Sequence, residues 1–114
     1  MEHTMGLFEE YLDSIKSGDK VIEVRLNDEK RRKIKVGDII RFIQVPDEAE
    51  EILTEVVELT AFPTFKDMYE NVSAAEMGSR EDTVEQMVND TYEIYTPEHE
   101  KKYGTLAIRI KYVE

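Results

Sequence analysis

Runs of residues with a two-residue apolar period, interrupted by stretches with a helical period, predict an α+β fold. The expected architecture is a small, mostly antiparallel β-barrel with an N-terminal helix and a helical insertion before the last strand. Three observations carry this reading. Residues 21–26, 39–45, 52–62 and 105–113 are rich in Val, Ile, Leu and Phe and read as strands. Leu7, Phe8, Tyr11, Leu12 and Ile15 recur at helical spacing ahead of the first run. Between the third and fourth runs lie several short helical patterns rather than a single turn.

In chain order, residues 2–5 read as a short first strand and residues 7–17 as a helix, with Glu9, Glu10 and Asp13 on its wet side. Gly18 stops that helix, because glycine tolerates the left-handed conformation just past a helix end. In the strand over 21–26, Ile22, Val24 and Leu26 share one face, and Val21, Glu23 and Arg25 the other. Val36-Gly37-Asp38 is a turn. The run 39–45 is apolar on both faces, as in a strand within a closed sheet. An acidic tip at 46–50 leads to a long strand over 52–62, whose alternation slips near Val56-Val57 as at a bulge. Thr64 caps a short helix containing Phe65, Met68 and Tyr69. Residues 73–82 read as a mobile loop with a helical turn, and 83–95 as a helix. Thr96-Pro97 opens a last helix that ends at Gly104. The final strand alternates cleanly, Leu106, Ile108, Ile110 and Tyr112 against Ala107, Arg109, Lys111 and Val113.

Composition narrows the function classes. The 114 residues are expected to form one domain, 1–114, with a single core. There is no cysteine, which removes disulfides, thiolate metal sites and a cysteine nucleophile. The two histidines, His3 and His99, are far apart, and neither a metal site nor a cofactor is expected. No apolar run is long enough to span a bilayer, and the start of the chain has no signal layout, so a cytoplasmic location is expected. The net charge of −11 disfavours indiscriminate binding to a polyanion. Its distribution is uneven. Between Lys16 and Lys35 eight basic residues stand against four acidic ones, so this window carries +4 and the rest of the chain −15.

The chemistry-bearing residues concentrate there. Lys20, Glu23 and Arg25 place an ammonium, a carboxylate and a guanidinium along one strand. They read either as a solvated cross-strand ion pair or as the polar part of a binding site. Lys30-Arg31-Arg32-Lys33 reads either as a soluble loop or as a phosphate-binding patch. Tyr92, Tyr95 and Tyr103 read first as core or rim packing, with base stacking physically available to them as the second reading. Phosphate-loop, dinucleotide, zinc-protease and nucleophile-elbow motifs are absent.

Gly18-x-Lys20-x-x-Glu23-x-Arg25 resembles the G-x-K-x-x-E-x-R signature of the ASCH (activating signal cointegrator homology) domain family, within the PUA-like superfamily. The flanks agree: Lys35-Val36-Gly37-Asp38 before a strand, then Ile94-Tyr95-Thr96-Pro97-Glu98 leading to Tyr103-Gly104-x-Leu106-Ala107-Ile108. The resemblance runs in order from His3 to Ile110 and implies a PUA-like β-barrel with peripheral helices.

For function it implies recognition of RNA or a nucleotide in a cleft beside the barrel. Lys20 and Arg25 would contact phosphate or a base edge, and Glu23 would hold Arg25 or accept from a base amine. Lys30, Arg31, Arg32 and Lys33 would clamp phosphates. Some ASCH-like members are hydrolases, which gives the rival reading. One branch resembles an amidohydrolase of N4-acetylcytidine that uses a lysine, a threonine nucleophile and a glutamate. The lysine falls on Lys20, but the threonine position is Glu23. Other members resemble ribonucleases, for which Lys20 and Glu23 would be the catalytic candidates if burial moved their pKa values toward neutrality. A third reading is a protein-interaction domain that uses the acidic surface.

Overall fold

The computed structural model describes residues 1–79 and 82–114. Five strands and four helices follow one another as β1 (Glu2–Phe8), α1 (Glu9–Ser17), β2 (Ile22–Leu26), β3 (Ile39–Val45), β4 (Glu51–Phe62), α2 (Phe65–Asn71), α3 (Val84–Thr91), α4 (Pro97–Tyr103) and β5 (Thr105–Val113), with a 3-10 turn at Arg31–Lys33. The strands form one curled sheet in the order β1-β3-β4-β5-β2. Only the β1–β3 pair is parallel; the three other pairs are antiparallel. The α+β architecture and the mostly antiparallel sheet agree with the sequence reading. The barrel, however, is half-formed: β1 and β2 are both edge strands, and no ladder joins them.

Local chemistry explains most boundaries. Gly18 adopts φ 86° as the C-cap of α1. The Thr64 hydroxyl accepts from Asp67 N–H at the start of α2, and the Thr96 hydroxyl from His99 N–H at the start of α4. Thr83 and Gln86 close a reciprocal capping box on α3, which the sequence reading did not single out. The register between β4 and β5 shifts between Val56 and Glu58, at the expected bulge.

Two boundaries differ from expectation. Leu7 and Phe8 belong to β1 rather than to the first helix, because they continue the parallel ladder opposite Gln44 and Val45. Long-range pairing there overrides a helical apolar period. The helix expected over 83–95 ends at Thr91, and Tyr92, Glu93 and Ile94 form turns instead. Of the loop expected over 73–82, residues 74–78 form successive turns, whereas Arg80 and Glu81 lie outside the described residues.

Each face of the sheet carries its own core. The concave side holds Met5, Leu12, Ile40, Phe42, Val56 and Ile108, closed by α1. The other side packs Ile22, Leu26 and Ala107 against Phe65, Met68, Met77 and Met87 from the helical insertion. Alternation in β2 therefore points Ile22, Val24 and Leu26 toward the helices. Glu23 and Arg25 pair with Ile108 and Leu106 and share the concave face with them. That places two charged side chains at the mouth of an apolar half-barrel. Among the described residues no helix is long and apolar enough to cross a membrane.

Asp38 fastens the start of β1 to the turn before β3. Its carboxylate accepts from Lys35 N–H at 2.9 Å and bonds His3 Nε2 at 2.8 Å, with the Met1 ammonium 3.3 Å away. The His3 bond first, and the Lys35 bond next, hold the Asp38 carboxyl down to about 2. A carboxyl depressed on folding contributes stability above its unfolded value of 3.8, and that contribution is lost as pH falls toward 2. The Asp38→Asn variant is accordingly expected to lose less stability across this acid window than the parent, as read from urea denaturation at a series of pH values. An identical acid dependence would rule the clamp out.

Candidate functional site

The open seam between β1 and β2 holds a cleft of about 470 Å³, within the ~300–1,000 Å³ usual for small-molecule sites. Lys20, Glu23 and Arg25 all line it. The exposed ion pair is excluded: Lys20 and Glu23 are each 5% exposed, and the Arg25 side chain 14%.

The three charges form one network. Glu23 Oε2 accepts from Arg25 Nε at 2.7 Å and lies 2.6 Å from Nη2, while Lys20 Nζ is 3.2 Å from Glu23 Oε1. Burial alone would raise the Glu23 pKa. The positive charges of Lys20 and Arg25 outweigh it and hold the carboxyl below its ordinary range. Burial likewise works against the charge of Arg25, but the Glu23 carboxylate prevails and its pKa is raised.

Lys20 is fully engaged. Besides Glu23, its ammonium donates to Ile22 C=O at 2.9 Å and Met77 C=O at 3.0 Å, which accounts for all three N–H groups. The Met77 bond anchors the 74–78 turn to β2, together with Val21 and Ile22 N–H, which both donate to Glu76 C=O. Gly78 fits this contact: at φ 81° it lies against the lysine stem, where a Cβ would stand 3.4 Å from Cδ. Lys20 is thus a bolt between strand and turn.

Arg25 spans the seam. Its Nη2 donates to Gly6 C=O on β1 at 2.9 Å, so a guanidinium joins two sheet edges that no ladder connects. Nη1 donates to no carboxylate or carbonyl among the described residues. Tyr95 lines the same cleft and neighbours the guanidinium.

The remaining walls were not foreseen from sequence. Phe8 and Ile94 line the cleft while 57% and 74% exposed, and Tyr11 and Tyr69 add aromatic surface. Glu10, Asp82 and Asp90 bring carboxylates from α1, from the segment before α3 and from α3 itself. These residues are scattered along the chain, so no local spacing announces them; the exposed apolar Ile94 beside Tyr95 is the nearest thing to a signal.

The basic run goes elsewhere. Lys30, Arg31, Arg32 and Lys33 do not line the cleft. Arg31 pairs with Asp28 at 2.9 Å, and Arg32 donates to the carbonyls of Asn27 and Tyr103. Of the three clustered tyrosines only Tyr95 reaches the site. Tyr92 donates to Glu100, and Tyr103 packs against Arg32 and Lys102. Among the described residues no group of His, Asp and Glu has the arrangement of a metal site.

The ASCH domain family model matches residues 5–114. Among solved structures, the hypothetical protein PH0355 is 39% identical, with a TM-score of 0.89, 99% of this chain covered and 100% of that one. Protein PF0455 from Pyrococcus furiosus is 37% identical, with a TM-score of 0.81 and coverage of 100% and 99%. The ASCH domain from Lactobacillus crispatus, at 17% identity, shares the fold with a TM-score of 0.64, covering 96% of this chain and 79% of its own. No curated protein matches the chain.

Proposed function

The chain belongs to the ASCH domain family, and from that membership we propose that it binds RNA or a nucleoside ligand in the seam cleft, with Arg25 as the contacting cation. The family is PUA-like and associated with RNA binding. What supports this reading here is a buried ion network that opens into a concavity with aromatic and apolar walls. Lys20 and Glu23 act as supports. The lysine fixes the carboxylate, the carboxylate fixes the guanidinium, and Arg25 presents its outer edge beside Tyr95 to a ligand. Charge-assisted bonds are strong where water is partly excluded, as it is here.

The hydrolase reading finds less support. The Glu23 pKa moves away from neutrality, which suits a fixed anion better than a general acid. The ammonium of Lys20 is committed to three acceptors. Thr91 brings a hydroxyl to the cleft, but it donates to Met87 C=O at 2.7 Å and bonds Tyr69 OH at 2.7 Å, so it lacks an activating base.

The test is titration of nitrogen-15-labelled protein with nucleosides, nucleoside monophosphates and short single-stranded RNAs. The expected shifts centre on Gly6, Leu7, Phe8 and residues 23–25. Shifts confined to residues 30–33, or none with any ligand, would overturn the proposal.

A further inference from the structure

The backbone of β2 and the charge of the cleft walls say which part of such a ligand enters. β2 is an edge strand, and the bond from Ile110 N–H to Val21 C=O sets the parity of its ladder with β5. Val21 accepts from β5 and, by the same parity, Glu23 and Arg25 face β5 with their N–H and C=O groups, so Ile22, Val24 and Leu26 direct theirs outward. Ile22 bears this out. Its outward N–H donates to Glu76 C=O at 2.9 Å, and its outward C=O accepts from Lys20 at 2.9 Å. The 74–78 turn covers the edge at Ile22. Val24, the next outward residue, lines the cleft, and among the described residues no loop or side chain bonds its N–H or C=O. A donor and an acceptor side by side on a strand edge form a template for a further strand. They match equally well the edge of a nucleobase that sets a donor beside an acceptor.

Charge points the same way. Glu10, Glu23, Asp82 and Asp90 face only Lys20 and Arg25 among the described lining residues. Lys20 is saturated and Arg25 already neutralises Glu23, so an entering phosphate would meet a net negative lining. An uncharged ring meets no such opposition, and the exposed Phe8 and Ile94 offer it apolar contact.

We propose that the cleft takes an uncharged nucleobase edge-on, with the Val24 main chain donating to and accepting from it as one residue of an added strand. The sugar phosphate stays outside. This rests on the nucleoside-binding reading above and specifies its chemistry. Matched ligands separate the two. Uridine is compared with 3-methyluridine, cytidine with N4,N4-dimethylcytidine, adenosine with N6,N6-dimethyladenosine, and each parent with its 5′-monophosphate. Affinities and the Val24 amide are followed by NMR. For the nucleoside that binds, methylating the edge is expected to weaken binding at least about tenfold, because a buried donor and acceptor lose their partners. Adding the phosphate is expected to leave affinity unchanged or lower. The Val24 amide should exchange fast in the free protein and slowly in the complex. Equal affinity for the methylated partner, a monophosphate that binds about tenfold tighter, or an unprotected Val24 amide in the complex would each overturn the inference while the binding reading stands. If no nucleoside, nucleotide or short RNA binds, both fall.

Discussion

Replacing Glu23 by alanine is expected to destabilise the protein by about 3–5 kcal/mol, the range for removing one partner from a buried ion pair. Two cations, Lys20 and Arg25, would remain in a sheltered site without their shared counter-ion. Lys20→Met should cost less, because Glu23 keeps both bonds from Arg25 although the lysine's ties to Ile22 C=O, Met77 C=O and Glu23 are lost. Chemical denaturation at neutral pH measures this order. A Glu23→Ala cost below about 1 kcal/mol, the worth of an exposed pair, would mean that the network is solvated. Acid sensitivity gives a second reading of the same group. The folded pKa of Glu23 is depressed, so its contribution is complete above the unfolded value of 4.5 and is lost as pH falls below it. The alanine variant should lack that part of the acid response.

Exchanging Arg25 for lysine, although it keeps the charge, is expected to weaken ligand binding by roughly tenfold to a hundredfold. One guanidinium bonds Glu23, bridges to Gly6 C=O and faces Tyr95 across the cleft. An ammonium has three N–H groups and no planar fork, so it cannot meet all three demands in the same geometry. Opening the seam should also speed hydrogen exchange of the β1 amides near Gly6. Arg32→Lys is the control. Its guanidinium serves the Asn27 and Tyr103 carbonyls away from the cleft, and its replacement should leave affinity unchanged. Equal losses from both variants would favour a diffuse electrostatic surface over a built site.

How far these features were legible in the sequence depends on the range of the interactions that set them. β3 and β5 were readable residue by residue, because a β-rich apolar run after a turn, in β3, and clean period-two alternation, in β5, are local signals. The caps at Thr64 and Thr96 and the stop at Gly18 are local too. β1 was cut short because Leu7 and Phe8 fit a helical period, and only pairing with residues more than thirty positions away makes them a strand. The signature triad was found by type and spacing. Its burial was not, since Glu23 and Arg25 alternate with apolar residues just as an exposed pair would. Sheet order decides the matter by placing Leu106 and Ile108 beside them and β1 across the gap. The run 30–33 shows the converse: dense positive charge is visible in a sequence, but its position away from the cleft and the carbonyls and carboxylate that Arg31 and Arg32 bond are not.

Intermolecular NOEs in the complex with the tightest-binding nucleoside or short RNA bear most directly on the central claim, that the sheltered Lys20–Glu23–Arg25 network organises a ligand cleft in the sheet seam. The account predicts contacts from the ligand ring to Gly6, Val24, Arg25 and Tyr95. Contacts only to Arg31, Arg32 and their neighbours, or a ligand that leaves the seam untouched, would contradict it.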